Sequence, residues 1–282
     1  MSKREKVQLV DCPRDAIQGI KNFIPTAQKI AYINQLVASE FFDFIDFGSF
    51  VSAKAVPQMA DTAAVLDGID KKNSKLIAII ANEKGAEIGS QHQAIDYLGY
   101  PFSVSETFQK RNTNKNSLEA FQAVETAKNT LAQAGSQELM VYLSMAFGNP
   151  YGDLWHTDLI LDWMEKLSAI GIRKFSLADT TAEATPALVQ ELFTLVKKNF
   201  PELELSIHLH SRVENSLIKV EAAYEAGCRI FEGAIMGYGG CPFAQDDLVG
   251  NIPSEILVRQ FIDPQTEAIE ALLYGFQSLI KA

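Results

Sequence analysis

Two histidines stand two positions apart in the apolar segment Leu205–His210. The segment is rich in residues that favour β-strands, and in a strand residues i and i+2 point to the same face. His208 and His210 are therefore predicted to face the same space, whereas Ile207 and Leu209 would face apolar packing. Two imidazoles that face one cavity provide half of a metal site or an acid–base pair. From this segment alone, two histidines on a solvated strand face are an equal alternative.

Composition is that of an ordinary globular protein. The chain has 282 residues, 47% of them hydrophobic and 21% charged, which argues against disorder. Its formal net charge of −10 lacks the basic excess of nucleic-acid-binding proteins, so no nucleic-acid partner is expected. No segment resembles a signal peptide or a membrane span. Three widely spaced cysteines predict a reducing compartment rather than a disulfide framework. We therefore expect a cytoplasmic protein without a membrane partner.

Strand-like segments alternate with segments of helical spacing along the chain. The eight strand-like segments are Lys6–Cys12, Phe41–Gly48, Lys75–Asn82, Ala94–Ser105, Glu138–Phe147, Lys174–Asp179, Leu203–His210 and Cys228–Met236. The predicted helices are Pro25–Ala38, a weaker one near Lys84–His92, Asn116–Ala134, Asp158–Ala169, Pro186–Lys198, Glu214–Ala226 and a helix-rich tail, Pro253–Ala282. Thr26 and Thr185 are predicted N-caps.

The alternation predicts the fold class. Strands that alternate with helices form a parallel sheet with right-handed crossovers. Eight such units in a chain of this length predict an α/β protein, a (β/α)8 TIM barrel with a C-terminal lid loop and helices. An open, doubly wound sheet is the alternative. Because no linker-like or low-complexity segment interrupts the pattern, residues 1–282 are predicted to form a single catalytic domain.

Polar residues collect where the predicted strands end, which is where TIM barrels build their active sites. These residues are Arg14, Asp15, Asp46, Ser49, Asn82, Ser105, Ser144, Asp179, His208 and His210, with a glycine-rich segment leading to Cys241 and Asn251. One carboxylate after a strand is usually a helix cap, and a neighbouring Arg–Asp pair is usually a surface ion pair of small energetic value. Polar groups at the same end of all eight strands instead predict one shared mouth.

Several of these side chains suit the binding of a metal ion and an oxyanion. Asp15 and the histidine pair, with Asn251 as a fourth candidate, offer two nitrogens and two oxygens, a set that suits Mg²⁺, Mn²⁺ or Zn²⁺. Arg14 keeps its proton and suits an oxyanion such as an enolate. Cys241 could exchange protons through its thiol, although an inert loop cysteine is the alternative.

Short motifs along the chain match one known family. They are Pro13-Arg14-Asp15-Ala16-Ile17-Gln18, the segment Ser49–Asp61, Ser105-Glu106-Thr107-Phe108 with Lys110 and Asn112, His208-Leu209-His210, and Gly237–Pro242 followed by Asn251 and Glu255. Together, over about residues 7–260, they resemble the hydroxymethylglutaryl-CoA lyase family. The resemblance implies a TIM-barrel lyase that splits 3-hydroxy-3-methylglutaryl-CoA into acetyl-CoA and acetoacetate in leucine breakdown. It also implies Mg²⁺ or Mn²⁺ as cofactor, an acyl-CoA substrate and a homodimer.

The resemblance assigns roles to residues as well. The implied metal ligands are Asp15, His208, His210 and Asn251. Arg14 would stabilise the enolate of the departing acetyl-CoA, and Cys241 would assist proton transfer from the lid loop. Asp15 and His208 are both candidates for the base that deprotonates the substrate hydroxyl, and Glu255 is counted with the catalytic residues. The substrate-binding candidates are Gln18, Asp46, Ser49, Asn82, Ser144 and Asp179.

The chain departs from the family pattern at four places. Asp46 stands where Glu is usual, so its carboxylate reaches less far, and Ser211 stands where Asp is usual, beside the histidine pair. Asn149 replaces a cysteine, and the loop between Cys241 and Asn251 is one residue longer and more acidic. Two alternatives to the lyase are a related enzyme that acts on a different hydroxyacyl-CoA or condenses acetyl-CoA with a 2-keto acid, and a barrel that only binds.

Overall fold

A computed structural model describes residues 5–135, 137–240 and 249–281 of the protein. Its centre is a closed barrel of eight parallel strands in chain order. The strands are β1 (Gln8–Asp11), β2 (Phe44–Ser49), β3 (Lys75–Ile79), β4 (Tyr97–Ser103), β5 (Glu138–Ser144), β6 (Lys174–Asp179), β7 (Glu204–Leu209) and β8 (Ile230–Gly233). β1 pairs with both β2 and β8, which closes the barrel. The predicted (β/α)8 barrel is therefore confirmed and the open sheet is wrong.

Helices surround the barrel. They are α1 (Pro13–Ile17), α2 (Thr26–Ala38), α3 (Thr62–Asp67), α4 (Glu83–Ser90), α5 (Glu106–Thr113), α6 (Ser117–Ala134), α7 (Thr157–Ala169), α8 (Pro186–Asn199), α9 (Val213–Glu225), α10 (Ser254–Phe261) and α11 (Thr266–Ile280). In the described ranges, none combines the length and the apolar character that a membrane span needs. The sequence did not predict α1, α3 and α5, because five to eight residues are too few to show helical periodicity.

The two predicted N-caps have different outcomes. Thr185 is confirmed, since its hydroxyl accepts from the backbone N–H of Leu188 at 3.2 Å. Thr26 is wrong: Pro25 holds the N-cap position of α2, and Thr26 is the first helical residue. The Thr26 hydroxyl instead donates to Asp61 at 2.7 Å.

The two faces of each strand have different surroundings, and β7 shows this clearly. Leu205, Ile207 and Leu209 lie in the large apolar core between the strands and the helices. Ser206 and His208 face the barrel interior, where both contact Glu232 of β8. The alternation of a strand therefore places the histidine pair inside the barrel, as predicted from the sequence.

Candidate active site

A cavity of about 150 Å³ lies at the carboxyl-terminal ends of the strands. Predicted site residues that line it are Arg14, Asp15, Gln18, Ser49, Ser144, His208 and His210. Much of the remaining lining is apolar, with Val51, Val56, Ile79, Phe108 and Tyr142 among its members. A few convergent polar groups in an apolar concavity are the usual composition of a small-molecule site.

Three of the predicted metal ligands come together in this cavity. One ligand atom from each of Asp15, His208 and His210 lies within 4.8 Å of the others, and all three residues are buried. The Nε2 atoms of the two histidines are 3.3 Å apart. Two imidazole nitrogens and a carboxylate at such distances form a group that could hold a divalent cation.

Asn251 completes the group from beyond β8. A β-bridge joins it to His210, and its side-chain Nδ2 donates to Asp15 and to the Tyr238 carbonyl, both at 2.7 Å. Its Oδ1 atom is buried and has no hydrogen-bond partner among the described residues. A buried oxygen without a donor is costly in a folded protein. The unpartnered oxygen beside Asp15 and the histidines therefore fits a metal ligand, and the predicted four-residue set agrees with this arrangement.

The glycine-rich segment allows backbone to lie directly against this group. Gly239 has φ of +110°, and a Cβ atom there would lie 2.5 Å from Asn251 Nδ2 and 2.7 Å from Asp15 Oδ2. The backbone N–H of the next residue, Gly240, donates to Asp15 at 3.3 Å. Only glycine tolerates both the positive φ and the close approach. The segment thus encloses the Asp15 carboxylate with main chain.

Arg14 lies between two carboxylates and an amide oxygen. Its Nε atom donates to Asp46 at 3.1 and 3.3 Å, and Nη2 forms a second bond to the same carboxylate. Its Nη1 atom donates to Asp15 and to Gln18, both at 3.1 Å. α1 begins directly after β1, so Arg14 and Asp15 enter the mouth side by side. The guanidinium is thereby fixed at the edge of the metal-ligand group.

Electrostatics keep Asp15 and His210 in the forms that metal binding requires. Burial raises the pKa of Asp15, but the charges of Arg14 and the two histidines outweigh it and lower the pKa to about 2. Burial and the neighbouring His208 lower the pKa of His210 to about 4. Asp15 is therefore ionised and His210 neutral at physiological pH, as ligands must be. Burial raises the pKa of Asp46 to about 6, although Arg14 opposes the shift.

Glu232 is a site residue that the sequence did not predict. It is buried on β8 and accepts hydrogen bonds from His208, Ser176 and Ser206. Burial raises its pKa, but these hydrogen bonds and the charge of His208 outweigh burial, so the pKa is lowered from its ordinary value. A charged residue inside the apolar segment Cys228–Met236 was the available signal.

Comparison with known proteins identifies the family of the chain. The model of the HMGL-like family matches residues 6–266. The chain belongs to this family. It is 32% identical over 250 residues to hydroxymethylglutaryl-CoA lyase YngG of Bacillus subtilis, covering 87% of this chain and 81% of the relative. It is 34% identical to a Pseudomonas aeruginosa protein named 3-hydroxy-3-isohexenylglutaryl-CoA/hydroxy-methylglutaryl-CoA lyase, covering 90% of this chain and 84% of the relative.

A solved structure of an HMG-CoA lyase from Acinetobacter baumannii, in complex with coenzyme A and 3-methylmalate, has the same fold. The two chains superpose with a TM-score of 0.90 at 31% identity, covering 98% of this chain and 92% of the other. The family resemblance predicted from the sequence is therefore confirmed.

Three predicted substrate-binding residues of this HMGL-like chain, Asp46, Asn82 and Asp179, are not among the residues that line the cavity. The Asp46 carboxylate is bonded to Arg14. Asp179 ends β6, but its carboxylate accepts from the Ala184 N–H at 3.1 Å and pairs with Lys219 at 3.2 Å. Lys219 also donates to the His210 carbonyl at 2.9 Å. Asn82 is the N-cap of α4 and accepts from the Gly85 N–H at 2.9 Å. All three side chains have partners within the protein in place of cavity contacts.

Of the last two predicted catalytic residues, the structure describes Glu255 but not Cys241. Glu255 lies in the first turn of α10 and accepts from the Met236 N–H at 2.9 Å, so it braces the turn that follows β8. Burial raises its pKa. Cys241, with the lid loop predicted around it, lies outside the described residues.

Proposed function

We propose that this HMGL-like chain is a metal-dependent carbon–carbon lyase that cleaves 3-hydroxy-3-methylglutaryl-CoA to acetyl-CoA and acetoacetate. The observation that carries the proposal is the Asp15, His208 and His210 group, with the unpartnered Asn251 oxygen beside it and Arg14 at its edge. Relatives that bear the name hydroxymethylglutaryl-CoA lyase support the substrate. The structure solved with coenzyme A supports an acyl-CoA.

The metal is proposed to be Mg²⁺ or Mn²⁺, bound by Asp15, His208, His210 and Asn251. Two carboxamide or carboxylate oxygens with two neutral imidazoles suit these ions and leave positions for substrate oxygens. A divalent ion bound there would supply Lewis-acid chemistry, lowering the pKa of the substrate hydroxyl as it does that of a bound water. Asp15 and His208 are the proposed candidates to take that proton.

Arg14 is proposed to hold the charge that develops on the substrate. When the carbon–carbon bond breaks, its electron pair passes into the thioester and forms the enolate of acetyl-CoA, while the former hydroxyl carbon becomes the ketone of acetoacetate. Because Asp46, Asp15 and Gln18 fix the guanidinium in advance, it needs little reorganisation to accept the enolate oxygen. Cys241 remains, from sequence alone, the residue proposed to assist proton transfer.

A second candidate substrate class has one specific observation in its favour. The cavity wall includes Val51, Val56, Ile79 and Phe108, which suits an apolar substituent at carbon 3 larger than methyl. The Pseudomonas aeruginosa relative carries such a substrate in its name. A role in leucine breakdown, a cytoplasmic location and a homodimeric assembly complete the proposal.

The test is acetoacetate release by the purified protein from hydroxymethylglutaryl-CoA with Mg²⁺ or Mn²⁺. We expect turnover that EDTA abolishes and that either ion restores. A parallel assay with 3-hydroxyacyl-CoA esters that carry longer apolar groups at carbon 3 separates the two substrate classes by kcat/KM. No turnover of any of these esters at saturating metal would contradict the proposed function.

A further inference from the structure

Glu232 lies inside the barrel on the far side of His208 from the cavity. It is 2% exposed, and one of its carboxylate oxygens, Oε2, is 3.1 Å from His208 Nδ1. The other oxygen, Oε1, accepts from the hydroxyls of Ser176 and Ser206, both at 2.6 Å. Side chains from the two neighbouring strands β6 and β7 therefore converge on this single carboxylate of β8.

The chemistry of these contacts fixes where the proton of His208 lies. An ionised carboxylate only accepts hydrogen bonds, so each of its three neighbours must donate. In the neutral imidazole the single ring proton therefore sits on Nδ1, and the lone pair sits on Nε2. Nε2 is the atom that is 3.3 Å from His210 Nε2, within the group formed with Asp15. The lone pair thus points at the candidate metal position.

We propose that Glu232 is a positioning residue that sets the tautomer and orientation of His208, and thereby the affinity of the site for its divalent ion. The proposal rests on the proposed function only in taking Asp15, His208 and His210 as the metal group. A carboxylate behind a histidine ligand orients the ring and makes it a better donor. The two serines in turn hold the carboxylate in place through their hydrogen bonds to its other oxygen.

Glu232 could instead be a ligand, since Cys12, His208 and Glu232 also place ligand atoms within 4.8 Å of one another. The hydrogen bonds favour positioning. Both Glu232 oxygens are already occupied by protein donors, and a metal ion would have to displace three hydrogen bonds in a buried place. Cys12 is fully buried, and burial raises its pKa well above the ordinary value, which disfavours the thiolate that a metal requires. Cys12 therefore serves as a matched control.

The decisive variant is Glu232→Gln, which keeps the size of the side chain and turns one acceptor into a donor. The amide keeps the most hydrogen bonds when its oxygen accepts from both serine hydroxyls, which places its NH2 group opposite His208 and requires Nδ1 to accept. We expect ¹⁵N NMR of histidine-labelled, metal-free protein at pH 8.5 to show His208 protonated at Nδ1 in the wild type. In Glu232→Gln we expect loss of that single tautomer.

Binding of Mn²⁺ alone, followed by calorimetry, gives the second readout. We expect Glu232→Gln to raise the Kd for Mn²⁺ about 10- to 100-fold. Cys12→Ala should leave it unchanged. The Ser176→Ala/Ser206→Ala double variant, which keeps the bond to His208 but frees the carboxylate, should raise it by a smaller factor. If Glu232→Gln fails to fold, the double variant carries the test through the Kd for Mn²⁺, and an unchanged Kd there would overturn the proposal.

The outcomes separate this inference from the proposed function. Wild-type tautomer and Mn²⁺ affinity in Glu232→Gln would overturn the positioning role, whatever the protein catalyses. Loss of Mn²⁺ binding in Cys12→Ala as severe as in Glu232→Gln would overturn it in favour of ligation. A wild type with the Nδ1–H tautomer and tight Mn²⁺ binding, but no turnover of any hydroxyacyl-CoA, would sink the lyase assignment and leave the role of Glu232 intact.

Discussion

The mouth of the barrel has two sides that use a buried acid in different ways. On the Arg14 side, formed by the turn after β1 and by β2, Asp46 holds a guanidinium that keeps its charge at any physiological pH. On the His208 side, formed by β7 and β8, Glu232 holds an imidazole whose value as a ligand depends on which nitrogen carries the proton. Asp46 thus fixes a charge, whereas Glu232 directs a lone pair.

The two acids also differ in how their environments shift their pKa values. Burial raises the pKa of Asp46 to about 6 despite the adjacent Arg14, since Asp15 and Glu232 add repulsion. The pKa of Glu232 is lowered, because three hydrogen-bond donors together with the charge of His208 outweigh burial. The number of donors around a buried carboxylate therefore matters as much as the presence of one opposite charge. Disrupting the two sides should consequently disturb different steps.

The largest effect is expected from Arg14→Gln. We expect kcat/KM to fall about 10³-fold, as it does when a preorganised oxyanion donor is lost. Binding of Mn²⁺ should persist, because the change removes a cation from beside Asp15. Arg229→Gln, which removes an arginine paired with Glu5 at the other end of the barrel, is the matched control. Near-normal turnover in Arg14→Gln would remove this residue from its role and abolish the contrast between the two sides.

The next effect concerns the Asp179–Lys219 pair, which supports the His208 side from outside the barrel. Asp179→Asn leaves the buried Lys219 ammonium with the His210 carbonyl as an acceptor but without its carboxylate, so we expect the free energy of unfolding in urea to fall by about 3 kcal/mol. The double variant Asp179→Asn/Lys219→Met should recover much of the loss. Were Asp179 a substrate ligand, as the sequence predicted, KM would stay raised in the double variant even as stability returned.

The sequence predicted the barrel because the alternation of strands and helices survives errors at element boundaries. Lys174–Asp179 is predicted and observed with the same bounds, and most other strands are shorter than predicted by a few residues at their ends. Such errors hardly affect the fold. They do affect a site residue, since a shift of one position along a strand moves its side chain from the cavity to the helices.

That sensitivity explains which site residues the sequence could identify. The spacing of His208 and His210 itself indicates their orientation, because residues two positions apart in a strand point to the same face. For Asp179 and Asn82 the sequence indicates only a position near the end of a strand. In the structure each has a partner outside the cavity lining. Glu232 acquires its meaning only from Ser176 and His208, which lie 56 and 24 positions away and become neighbours through barrel closure.

Asp11 predicts a pH dependence of stability. It is fully buried, and burial raises its pKa to about 8, although Ser254 donates to it. A folded pKa above the unfolded value of about 3.9 means that the native state favours the proton. The contribution of protonated Asp11 to the free energy of unfolding is complete below pH 4, declines as pH rises, and is lost above pH 8. Asp11→Asn abolishes this titration. The free energy of unfolding of the variant, relative to that of the wild type, should therefore rise by about 2 kcal/mol between pH 6 and pH 8.

Urea unfolding at pH steps from 5 to 9 measures that difference. Asp70→Asn, at an exposed aspartate, controls for the substitution itself. A constant difference between Asp11→Asn and wild type across this range would show that Asp11 is ionised throughout. The titration of Asp179, whose pKa is raised to about 6, is common to the two proteins and cancels from the comparison.

The smallest effect is expected at Asn82, at the end of β3. Its side chain accepts from the Gly85 N–H at 2.9 Å and begins α4, so Asn82→Ala should lower the free energy of unfolding by about 1 kcal/mol. Asn82→Ser restores a capping oxygen and should recover most of that loss. With Mg²⁺ and hydroxymethylglutaryl-CoA, both variants should keep the wild-type KM. A KM raised equally in both would return Asn82 to the substrate-binding set, because serine replaces the cap but cannot reach where an amide would bind substrate.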